Sequence, residues 1–156
     1  MEMTREDVFT AAMIWAKMYC DFLKEVIAEK GLQRTIELQM IHGKINGAMY
    51  VNEMQKLEKF DPEALAAFMK PGYEKMGVIN IEIEATPDSL VLKNGRCPVY
   101  DGFKMAGMDD ETIDKFCTNR EGITLAAMTE AFPEVKTSLT RDKPDGYCTI
   151  VYKVEK

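Results

Sequence analysis

Cys97 stands in the run NGRCPVYDGF, between Arg96 and Pro98, where a turn hands over to a helix that Pro98 can open at its first position. A thiol there meets unpaired backbone amides, the positive end of the helix dipole and the Arg96 guanidinium, all of which favour thiolate over thiol. A thiolate so placed can attack an electrophilic carbon or bind a soft metal. Packed as a small apolar side chain, the same cysteine would do neither. Asp101 follows one turn up the helix, near enough to carry a proton for a ligand held over Cys97, or merely to complement the dipole. Tyr100 and Phe103 would wall such a pocket.

Cys117 shares a helical face with Ile113, and Cys148 shares a strand face with Ile150 and Tyr152, so both are expected to point inward. Two readings stay open. They are inert core thiols, or Cys97, Cys117 and Cys148 converge as three sulfurs able to hold a metal or an iron–sulfur centre. No CxxC spacing links the cysteines, Cys20 included, and a disulfide framework is not expected in a reducing compartment. His42, the only histidine, sits mid-helix near the core stripe, where it either meets the substrate pocket or is structural. Being alone, it excludes a multi-histidine metal site. No Walker loop, GxGxxG turn, GxSxG elbow or HExxH occurs, and the sequence demands no cofactor.

These residues belong to a chain of 156 residues, 46% of them hydrophobic, which is enough for one core and too little for two ordinary domains. A net charge of −6 leaves no electrostatic footprint for phosphate backbones, so nucleic acid is not expected as a partner. The apolar runs are cut by charges well short of the roughly 18 to 20 residues of a membrane span. The N-terminus, with early acids and no unbroken apolar stretch, does not read as a secretory signal, so a cytoplasmic location is expected. Twelve methionines suit an adaptable core or an apolar ligand pocket.

Residues 5–30 read as an amphipathic helix whose stripe is Val8, Ala12, Trp15, Tyr19, Phe22 and Val26, capped by Thr4 and stopped by Gly31. A second long helix is expected from Ile36 to near Phe60. Gly43 and Gly47 lie in its stripe, where a ligand or another backbone must come close. Asp61 and Pro62 open a third helix that Pro71 and Gly72 break or bend. The rhythm then turns to period two, and residues 78–93 read as a hairpin. Short helices follow over Pro98 to Ala106, Asp110 to Cys117 and Gly122 to Ala131. Strands near Val135 to Arg141 and Tyr147 to Val154, joined by DKPDG, close the chain. The expected class is α+β in one domain, residues 1–156, with a helical part over 1–77 and the sheet and short helices over 78–156. Three N-terminal helices would pack on an antiparallel sheet of about four strands, with short helices between two hairpins.

The stretch RCPVYDGFKMAGM, then FC at 116–117, then TSLTRDKPDGYCTIVY resembles the L-2-amino-thiazoline-4-carboxylic acid hydrolase-like family. A more distant likeness is to small-molecule-binding domains of the 4-vinyl reductase type. The first resemblance implies hydrolytic opening of a small heterocycle that carries a carboxylate, with Cys97, Cys117 and Cys148 at the positions of the family's cysteines. One departure is visible: the acidic residue expected shortly after the middle cysteine is replaced by TNRE, which sets Arg120 before Glu121. The functional expectation is therefore a hydrolase with Cys97 and Asp101 catalytic and with Arg96, Tyr100, Arg141 and His42 binding substrate. The alternative is a non-catalytic domain that holds a small molecule, a tetrapyrrole or a metal in a Met- and Cys-rich pocket. A homodimer is the expected assembly.

Overall fold

A computed structural model describes residues 3–142 and 147–155. The first helix, α1 (Arg5–Lys30), begins and ends where the sequence predicts. Thr4 and Asp7 exchange a capping box, Thr4 N donating to Asp7 Oδ2 at 2.8 Å and Asp7 N to Thr4 Oγ1 at 3.2 Å. The buried face, however, is Phe9, Ala16, Cys20 and Leu23, while Trp15 and Phe22 of the expected stripe are exposed. The helix is apolar on two sides, so periodicity alone could not say which side meets the core. The close crossing with a later helix decided it: a Cβ on Gly102 would lie 2.7 Å from Ala16 Cβ and 2.5 Å from the Met13 carbonyl oxygen. Only small residues allow that approach.

The expected second helix is two, α2 (Leu32–Gln39) and α3 (Ile41–Met54), which meet at Met40 and end short of Phe60. Gly43 and Gly47 face another helix rather than a ligand. A Cβ on Gly43 would stand 2.3 Å from the Arg120 carbonyl oxygen, and one on Gly47 would stand 2.8 Å from Ala127 Cβ. The next helix, α4 (Pro62–Lys75), starts at the expected cap, where Asp61 Oδ1 accepts from Glu63 N at 2.9 Å and Ala64 N at 3.1 Å. It runs on through Pro71 rather than breaking there. Pro71 and Ala67, the residue whose carbonyl loses its donor, are both exposed, so water can take the freed bond.

The expected first hairpin forms as β1 (Glu82–Thr86) and β2 (Ser89–Asn94). It starts later than the run from 78 predicts, because Asn80 adopts a left-handed φ of 56° and leaves Ile79 only an isolated bridge to Arg96. After β2 come α5 (Pro98–Met105) and α6 (Asp110–Ala131). The two short helices expected over α6 are thus one helix of 22 residues. Gly122 lies on its exposed side with nothing near and does not interrupt it. The strands β3 (Val135–Asp142) and β4 (Tyr147–Val154) close the fold, and of the expected DKPDG turn all but Asp142 lies outside the described residues.

The α+β class stands, with one four-stranded antiparallel sheet in the order β1-β2-β4-β3. Direct packing on the sheet is carried by α4 and α6, while α1 lies on α5 and α3 on α6. One group of buried side chains joins Leu90, Leu92, Ile150 and Tyr152 of the sheet to Leu65 and Met128. A second joins Ala16, Cys20, Phe103, Ile113 and Phe116. Helix α6 feeds both, through Leu125 and Met128 at one end and Ile113 and Phe116 at the other. Among the described residues no helix is long and apolar enough to cross a membrane.

Candidate functional site

The middle of α6, between its contributions to the two cores, presents Cys117, Arg120 and Glu121 to a cavity of about 100 Å³. That is room for roughly seven to ten water-sized groups. The opposite wall is the end of the sheet. In register across three strands, Asn94 of β2 pairs with Cys148 of β4, and Cys148 pairs with Arg141 of β3. Two residues further along, the same positions hold Leu92, Ile150 and Leu139, so an apolar sheet face ends in one polar row. Cys97, Val99 and Tyr100 close the cavity from the start of α5, and Tyr50, Tyr73 and Met76 close it from α3 and the end of α4.

The three cysteines that the sequence singled out therefore line one cavity, together with Tyr100 and Arg141. Cys97 is the N-cap residue of α5, with Pro98 at the first helical position. Burial pushes the Cys117 thiol up to about 11 and the Cys148 thiol up to about 12, so both are protonated near neutral pH. Among the described residues no three Cys, His, Asp or Glu side chains are grouped so as to hold a metal ion. Of the described methionines only Met76 lines this cavity, which is rich in cysteine but not in methionine.

Arg141 is the most constrained cation of the site. Its side chain is 7% exposed, it is ion-paired with Asp114, and its guanidinium lies 5.0 Å from the centroid of the Tyr100 ring. The Tyr100 hydroxyl donates to Asp110 at 2.8 Å, which fixes that ring. Arg141 Nε and Asn94 Oδ1 are buried without a hydrogen-bond partner among the described residues. A buried donor and a buried acceptor left open in one polar row are costly unless something else meets them. Arg120 forms a fork onto Glu121, donating from Nε at 3.0 Å and from a terminal nitrogen at 2.6 Å. Burial, with the Glu121 carboxylate adding to it, holds the Tyr50 phenol up to about 12 and the Tyr73 phenol well above its usual range. Both remain hydrogen-bond donors at any ordinary pH.

Four of the expected site residues lie elsewhere. Arg96 and Asp101 pair with each other, Nε to Oδ2 at 3.2 Å, outside the cavity. Arg96 also reaches Glu6 at 3.5 Å and covers the Phe9 ring at 4.3 Å, so it ties α5 to α1. The residue before a helix and the one a turn inside it can salt-bridge each other as readily as they can face a ligand. His42 is exposed on α3, in a separate groove with Tyr19 and Leu38. Phe103 is not a pocket wall but a core residue set edge-on to Phe116.

Arg120, Glu121, Tyr50, Tyr73 and Asn94 were not singled out. A signal existed for two of them, since Asp114, Cys117, Arg120 and Glu121 fall three, three and one apart and share a helical face. Ending the helix at Cys117 hid it. No protein-family model matches the chain, and no curated protein matches it.

Proposed function

We propose that this cavity binds a small heterocycle carrying a carboxylate and opens it by hydrolysis, the activity implied by the resemblance to the L-2-amino-thiazoline-4-carboxylic acid hydrolase-like family. The observation that carries the reading is the Arg141 guanidinium, 7% exposed, with an open Nε, on the wall of the cavity that Cys97 also lines. A buried guanidinium suits a carboxylate, and Arg120 on the facing helix supplies a second cation.

The Cys97 sulfur adds to the ring carbon that lies between two heteroatoms. The bond from that carbon to one ring heteroatom breaks, and the departing heteroatom takes the proton the thiol gives up. Water then adds to the same carbon, the bond to the Cys97 sulfur breaks, and the thiol regains a proton. Asp101, paired with Arg96, is out of position to carry protons, and Glu121 on the cavity wall takes that part. The Tyr50 and Tyr73 phenols donate to whatever negative charge develops.

The test is turnover and binding of 2-amino-thiazoline-4-carboxylate by the full chain. Expected are turnover in the native protein, its loss in Cys97→Ser with binding retained, and a raised KM in Arg141→Lys. Full turnover by Cys97→Ser would sink the covalent step. No saturable binding of this or related heterocyclic carboxylates would sink the whole reading.

A binding domain without turnover is the second reading, and two observations favour it: the only imidazole lies outside the cavity, and Cys117 and Cys148 are held as neutral thiols. In this version the ligand is a small anion, since Arg120 and Arg141 both line the cavity. A soft metal would have to displace the protons of both thiols. Saturable binding with no product selects this reading. Bound metal with sulfur-to-metal charge-transfer bands in anaerobically purified protein would select its metal form.

A further inference from the structure

The solvent side of the N-terminal helical hairpin is apolar. On α1, Trp15, Met18 and Phe22 recur at steps of three and four with Ile14 beside them, and all four are 49% to 66% exposed. On α2 and α3, Leu38, Ile41, Ile45 and Met49 repeat that spacing and are 44% to 59% exposed. The two seams join, because Phe22, Leu38 and Ile41 line one groove with Tyr19 and His42. The rings of Tyr19 and His42 lie 6.2 Å apart across it. The chain's own core is built from other faces of these helices: Ala16, Cys20 and Leu23 on α1, and Ile36, Gly43 and Gly47 on α2 and α3.

Eight half-exposed large side chains, each offering on the order of 100 Å², amount to roughly 800 Å². Monomers rarely show an apolar patch beyond about 600 Å². About 800 Å² is, however, what a stable interface takes from each partner. Seams spaced by three and four suit knobs-into-holes packing against helices of the same kind. Lys17 is closed by Asp21 at 2.6 Å and Arg34 by Glu37 at 3.0 Å, so these charges on the same helices need no oppositely charged partner. The net charge of −6 opposes an anionic membrane surface.

We propose that this face pairs with the same face of a second copy, the helical hairpins of two protomers forming a four-helix layer about a two-fold axis. Trp15 and Phe22 are its central anchors. No residue of either seam lines the cavity.

The experiment is sedimentation velocity of the full chain over a concentration series, with the emission of Trp15, the only tryptophan, read on the same samples. A species of twice 17.7 kDa is expected, with a blue shift of Trp15 emission as it forms. Phe22→Glu and Ile45→Glu alter side chains already exposed in the fold, so far-UV circular dichroism is expected to stay native while dimerisation weakens by roughly thirtyfold or more. A monomer at every concentration would overturn the proposal. So would a dimer that both variants leave intact while Trp15 stays water-exposed, or a monomer whose Trp15 shifts only on adding phosphatidylcholine vesicles.

Discussion

Arg141 and the two raised thiols are where single side chains carry the most consequence. Arg141→Met takes the guanidinium away from Asp114 and Tyr100 in a setting that is 7% exposed. Breaking a buried pair from one side is expected to cost about 3 kcal/mol, and Asp114→Leu in the same chain should recover much of it. Urea denaturation of the single and double variants measures both. Arg96→Met, outside the cavity, is expected to leave ligand binding unchanged and to cost about 1 kcal/mol, mostly from its stacking on Phe9. The thiols make a pH prediction. Burial holds Cys117 near 11 and Cys148 near 12, whereas an unfolded cysteine ionises near 8.5. The unfolded chain therefore loses protons that the folded chain keeps. The stability from these groups is complete below about pH 8.5 and declines as pH rises toward the folded values. Tm is expected to fall across that alkaline window, and Cys148→Ala should flatten the fall.

Helix α6 is the element on which the site depends, and its contacts with α3 are set by the absence of side chains. Gly43→Ala would drive a Cβ to 2.3 Å from the Arg120 carbonyl oxygen, which is rigid backbone. The helices must part, at an expected cost of about 1–3 kcal/mol, and Arg120 must shift with them. Reduced ligand affinity should accompany the loss. Gly122→Ala is the opposite case: mid-helix, exposed, with nothing near the added methyl. It is expected to stabilise by about 0.5–1 kcal/mol without touching the cavity. Thermal melts of the two variants should move in opposite directions.

Across the whole molecule, two groups of buried side chains share one helix, and the cavity opens where that helix passes from one to the other. Loss of α6 removes Ile113 and Phe116 from one core and Leu125 and Met128 from the other. Far-UV circular dichroism and Trp15 emission are accordingly expected to report one coincident urea transition. Two separate transitions would show that the cores unfold independently. If the hairpin faces pair, that transition also moves to higher denaturant as protein concentration rises.

Sequence pattern alone determined what depends on neighbours along the chain. The caps at Thr4 and Asp61, the stop at Gly31, the alternation of Ile81 and Ile83 with Glu82 and Glu84, and the placing of Cys97 before Pro98 all rest on local backbone chemistry. So does the α+β class, which follows from helical periods giving way to a period of two. Tertiary structure decided what depends on partners far away in sequence. It chose which of two apolar sides of α1 is buried, through the close approach of Gly102. It joined two expected helices into α6 and so put Arg120 and Glu121 on the face of Cys117. Strand order placed Asn94, Cys148 and Arg141 in one row, a register that no single strand encodes. Arg96 and Asp101 looked catalytic because both flank a thiol, yet each satisfies the other. A charged side chain's nearest opposite charge is set by the fold, and spacing along the chain only limits the choices.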